Sequence, residues 1–176
     1  MLWRERLTSQ LPRTAFVLML PLALGGCFQP LYAPLANGGS LESELQAITV
    51  TPILPDRIGH YLENELAFAF NGTGSTVPPK YRLSVILRER VQTPVIDTVS
   101  ARATAATVIV DADYILTPVA GGEPITKGTA FSVASYDRTT QRISNVQAAR
   151  DAETRNAKVI ADQIRTRISA AFASRG

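Results

Sequence analysis

The chain has 176 residues, 45% hydrophobic and 19% charged, with a formal net charge of +3. That balance fits a single globular domain and excludes disordered, collagenous and polytopic membrane classes. A single cysteine excludes an intrachain disulfide framework and a cysteine-based zinc cluster.

Arg4, Arg6 and Arg13 form a basic start, offset by Glu5, and residues 14–24 are apolar apart from Thr14 and interrupted by Pro21. A transmembrane helix needs about 20 apolar residues, so this shorter run reads as the core of a secretory signal, residues 1–26. Leu24-Gly25-Gly26-Cys27 resembles a bacterial lipobox. The expectation is that Cys27 receives diacylglycerol on its thiol and becomes the first mature residue. A thiolate is the best side-chain nucleophile for such an attachment. Lipidation makes the protein membrane-anchored rather than membrane-spanning. Phe28 stands where an aspartate would favour inner-membrane retention, which points to the outer membrane, on its periplasmic face.

Cleavage would remove three arginines and one glutamate. The 18 basic and 15 acidic residues then become 15 and 14, a net charge of about +1. No concentrated basic face remains to suggest nucleic acid as a partner. Residues 27–46 read as the lipidated N-terminus and tether, because FQPLYAPLANGGS carries prolines and glycines without periodicity. Residues 47–176 read as one α+β domain.

Within it, residues 47–54 alternate as a strand ending near Pro52. Asp56 is the expected N-cap of a helix with Ile58, Leu62, Leu66 and Phe70 on one stripe, stopped by Asn71-Gly72. Residues 80–91 alternate, with Tyr81, Leu83, Val85 and Leu87 on one face and Arg82, Arg88 and Arg90 on the other. A turn at Thr93-Pro94 is expected to lead into a strand over 98–116. A further turn at Ala120–Pro124 leads into a strand over 125–136. From about 141 to 174 an apolar stripe of Ile143, Val146, Ala149, Ala157, Ile160, Ile164, Ile168 and Phe172 predicts a long helix, with Ser144-Asn145 as a break or cap. The order β-α-β-β-β-α predicts two helices packed on one face of a four-stranded, mostly antiparallel sheet.

The sequence offers no catalytic set. The single histidine, His60, has no HxxxH or HExxH company. Asp111 and Asp113 share a strand face but lack a nearby third acidic ligand, so neither a metal nor another cofactor is expected. Gly72-Thr73-Gly74 lacks the Lys-Ser/Thr of a nucleotide loop. No GxSxG occurs. The expectation is a protein that is not an enzyme.

The opening Gly26-Cys27-Phe28-Gln29-Pro30-Leu31-Tyr32 resembles that of the LptE family of lipopolysaccharide-assembly lipoproteins, with one departure, the absence of a glycine between Cys27 and Phe28. The element order is similar too, as is the helix carrying Asp151-Ala152-Glu153 and Val159-Ile160-Ala161-Asp162-Gln163-Ile164. The resemblance implies an outer-membrane lipoprotein that plugs the β-barrel translocon for lipopolysaccharide, assists its assembly and contacts lipopolysaccharide itself, without covalent chemistry. The candidate lipid-binding residues are Arg82, Arg88 and Arg90, with Arg102 and Lys127 nearby, since arginine grips phosphate bidentately. The alternative is a lipoprotein serving as a scaffold or assembly factor in another envelope complex.

Overall fold

The computed structural model describes residues 40–53, 57–72, 74, 77–96 and 103–175. All belong to one unit, residues 34–176. The signal segment, Cys27, Asp56 and Arg102 lie outside the described residues.

Ser40 caps a short helix, α1 (Leu41–Gln46), by accepting the Ser43 amide at 3.1 Å. Leu41 and Leu45 are buried in the core. The folded unit therefore begins inside the segment read as tether. A helix this short carries too few turns for periodicity to reveal it.

The strand β1 (Ile48–Val50) follows, then α2 (Arg57–Asn71), β2 (Tyr81–Ile96), β3 (Ala103–Pro118), β4 (Thr126–Asp137) and α3 (Arg142–Arg175). The sheet order is β1-β2-β3-β4. β1 lies parallel to β2, with Ile48 opposite Tyr81 and Val50 opposite Leu83, while β2-β3 and β3-β4 are antiparallel. The result is an α+β fold with a mostly antiparallel sheet, as expected, with α1 as an added helix.

The core lies between one sheet face and the helices. Leu83, Val85, Val108, Val110, Leu116 and Ala130 meet Ile58, Leu62 and Leu66 of α2 and Ile160, Ile164 and Ile168 of α3. Burying each large aliphatic side chain contributes about 1.5–3 kcal/mol. The α2 stripe and its Gly72 stop, with φ of +56°, match the sequence reading.

Two expectations are corrected. Thr93-Pro94 is not the hairpin turn: β2 runs on to Ile96, and the register shifts between Gln92 and Val95. A bulge tolerates proline, which cannot donate to the ladder, so the strand continues past it. Ser144-Asn145 does not break α3, which runs unbroken for 34 residues, about 51 Å. Asn145 holds the turn before the helix, its Oδ1 accepting the Thr139 amide at 2.7 Å and its Nδ2 donating to the Thr139 carbonyl at 2.9 Å. Ile143 is 78% exposed and Val146 42% exposed, so the core face of α3 starts at Ala152.

Two buried polar side chains of α3, Glu153 and Asn156, are held by specific partners. Arg57 grips Glu153 with Nε at 2.7 Å and Nη2 at 2.5 Å, tying α2 to α3. The bonds from Glu153 push the Arg57 guanidinium further above its usual value. Asn156, fully buried, accepts from the Ser132 hydroxyl at 2.8 Å and donates to the Val108 carbonyl at 3.0 Å.

Candidate functional site

α2 and α3 cover the same sheet face, so alternation leaves the opposite face of β2, β3 and β4 uncovered by them. Arg82, Ser84, Ile86, Arg88 and Arg90 stand on it from β2. Ile109, Asp111, Asp113 and Ile115 follow from β3, and Lys127, Thr129, Phe131 and Val133 from β4.

The charges on this face form a staggered ladder. Arg88 lies directly opposite Asp111, and Arg90 opposite Ile109. Yet Arg88 Nη2 bonds Asp113 at 2.6 Å, and Arg90 Nη2 bonds Asp111 at 2.7 Å. Each arginine leans one rung toward Arg82, because the long guanidinium stem reaches the diagonal neighbour. The Thr129 hydroxyl donates to the second oxygen of Asp113 at 2.6 Å. The bonds from Thr129 and from Arg88 hold Asp113 below the usual carboxylate range.

Arg82 and Lys127 carry no ion pair among the described residues, and both are exposed. The face thus holds two compensated arginines and two uncompensated cations. Of the five candidates, Arg82, Arg88, Arg90 and Lys127 are brought to one face. Asp111 and Asp113 serve there as arginine partners. Among the described residues no cluster of three or more metal-ligating side chains forms. His60 is exposed on α2.

The sequence reading missed how apolar this face is. Ile86 is 66% exposed, Phe131 50%, Val133 49% and Ile115 42%. Among the described residues no layer covers this face, and exposed aliphatic and aromatic residues grouped together have the composition of an interaction surface. The signal was available: Ile86, Ile109 and Ile115 interrupt what alternation makes the polar side.

A family model described as LptE, lipopolysaccharide-assembly, matches residues 45–168. The chain belongs to the LptE family. The match takes in the end of α1, all four strands, α2 and most of α3. No curated protein matches the chain. Among solved structures, a crystal structure described as that of a lipoprotein from Caulobacter crescentus is similar, at 22% identity and a TM-score of 0.62, covering 76% of this chain and 96% of that one. A minor lipoprotein from Acinetobacter baumannii is similar at 20% identity and a TM-score of 0.54, covering 70% and 90% respectively. At these identities the likeness supports the fold of this chain and nothing narrower.

Proposed function

We propose that this LptE-family chain is an outer-membrane lipoprotein, anchored through lipidated Cys27. It acts as plug and assembly partner of the β-barrel translocon that inserts lipopolysaccharide into the outer leaflet. The observation that carries this reading is the family match over residues 45–168. The fold supports it. A plug must be rigid and must present mixed polar surface to a polar lumen, and the uncovered sheet face offers a fixed ladder of charge with apolar residues between.

The same face is the proposed lipopolysaccharide contact. Arg82 and Lys127 are the primary phosphate ligands, because no carboxylate competes for them among the described residues. Arg88 and Arg90 contribute less while Asp113 and Asp111 hold them. Arg102 remains a candidate from the sequence.

The deciding experiment is a detergent pull-down from outer membranes with a C-terminally tagged chain, alongside Cys27→Ala. A large lipopolysaccharide-translocon barrel is expected as the dominant companion, with recovery reduced for the variant. Recovery of a different envelope complex without that barrel supports the scaffold reading instead. For the lipid contact, Arg82→Ala with Lys127→Ala is expected to weaken lipopolysaccharide binding at least fivefold. Arg88→Ala with Arg90→Ala should weaken it less, and the reverse ranking rejects the assignment.

A further inference from the structure

β4 is the last strand of the sheet, and among the described residues no strand neighbours its outer edge. In an antiparallel ladder every second residue directs its amide and carbonyl outward. On β4 these are the odd-numbered residues, and three of them are bonded by side chains of α3. The Gln163 amide does what a strand would do, its Nε2 donating to the Phe131 carbonyl at 2.9 Å and its Oε1 accepting the Phe131 amide at 3.3 Å. Arg155 Nη2 donates to the Ser135 carbonyl at 3.1 Å, and Arg167 Nη1 donates to the Thr129 carbonyl.

The spacing matches. From Arg155 to Gln163 the helix rises about 12 Å, and from Ser135 to Phe131 the strand spans about 13–14 Å. From Gln163 to Arg167 the helix rises about 6 Å, against about 7 Å from Phe131 to Thr129. A helix antiparallel to the strand can therefore serve the edge at several points. A groove of about 350 Å³ beside it is lined by Val159, Asp162, Gln163, Thr166 and Arg167, so two of the three masking residues also form its wall.

The masked edge is complementary to itself. Let a second β4 lie antiparallel with Ser132 opposite Ser132. Lys127 then faces Asp137, Thr129 faces Ser135, and Phe131 faces Val133, each twice by symmetry. On the helix side Ala130 faces Ala134 and Gly128 faces Tyr136. Opposite charges, hydroxyl pairs and an aromatic beside a β-branched residue are the cross-strand pairs that stabilise sheets. The odd residues fall opposite one another, as hydrogen-bonded pairs require. Sliding the register by two residues removes the Lys127–Asp137 pairing, so charge selects this register.

We infer that β4 is a latent homotypic edge whose occupant is the β4 of a second copy, and that Arg155, Gln163 and Arg167 keep it closed. The guard leaves the chain monomeric and the open sheet face available for a different partner.

The test is sedimentation equilibrium of the full chain in density-matched detergent. The expected wild-type mass is that of a monomer, and Arg155→Ala/Gln163→Ala/Arg167→Ala should double it. Adding Lys127→Glu should weaken that dimer at least tenfold, and adding Asp137→Lys on top should restore it. A triple variant with native circular dichroism that stays monomeric overturns the inference. So does a dimer indifferent to Lys127→Glu, or a wild-type dimer that pairs through β4. If the triple variant does not fold, Gln163→Ala alone, which removes only the strand-like amide, is read in the same way.

Discussion

Asn156 sits where an aliphatic residue would pack, and its two hydrogen bonds join α3 to both β3 and β4. Asn156→Ala leaves the buried Ser132 hydroxyl without its partner and strips the Val108 carbonyl of its side-chain donor, leaving it only the ladder bond from Ala134. The expected cost is about 2–4 kcal/mol, measured by urea denaturation. Combining Asn156→Leu with Ser132→Ala should recover more than half of the loss, because apolar groups then replace both side chains of the hydrogen-bonded pair. Glu44 and Tyr81 form a second linked pair, at 2.8 Å, with Lys80 on the other Glu44 oxygen at 3.0 Å. Burial, and then the bond to Glu44, pushes the Tyr81 hydroxyl up to about 12. A raised value means the folded state holds the proton more tightly. That stability is complete below the unfolded tyrosine range, near pH 10, and is lost as pH rises toward 12. Tyr81→Phe should abolish this alkaline component, seen as a flatter dependence of the urea midpoint between pH 9 and 12. Burial alone would raise the Glu44 carboxyl, but bonds from Lys80 and Tyr81 outweigh it and leave the group low. Its contribution is therefore present above the ordinary glutamate range and lost on acidification.

Among the elements, α2 approaches the segment after β1 so closely that only glycine fits at one point. A Cβ on Gly59 would lie 2.5 Å from the Ile53 carbonyl oxygen. Backbone cannot yield as a side-chain tip can, so Gly59→Ala should lower the melting temperature by at least about 8 °C, on the order of 2 kcal/mol. Differential scanning calorimetry checks this. The same elements show what the sequence could disclose. The α2 stripe and the three long strands were legible because each repeats its period several times. α1 was not, because six residues hold too few repeats. The start of the α3 core was misplaced because periodicity marks a face without saying where a partner lies. Ile143 and Val146 hold the right phase but are left exposed before the buried face begins at Ala152. Glu153 reads as a surface charge and is buried, since its partner Arg57 lies 96 residues away. Of the candidate site, the shared face of Arg82, Arg88 and Arg90 was legible from alternation. The pairing of two of them with aspartates required the β2-β3 register.

For the molecule as a whole, sequence neighbours and spatial neighbours diverge at the N-terminal side. β2, β3 and β4 form a meander of successive hairpins, whereas α1 and α2 pack on α3 at the far end of the chain. A chain ending at Arg150 lacks Ile160, Ile164, Ile168 and Phe172 and should show no cooperative unfolding transition by circular dichroism. The C-terminal position of α3 thus sets a clock. Synthesis delivers α1, β1 and α2 before α3, so a large part of the surface they dock against emerges after them. Low contact order within the meander favours its early closure, and the remaining steps depend on long loops being drawn shut. A chaperone that shields exposed Leu and Ile side chains would therefore find its longest-lived client in the segment between Leu41 and Phe70.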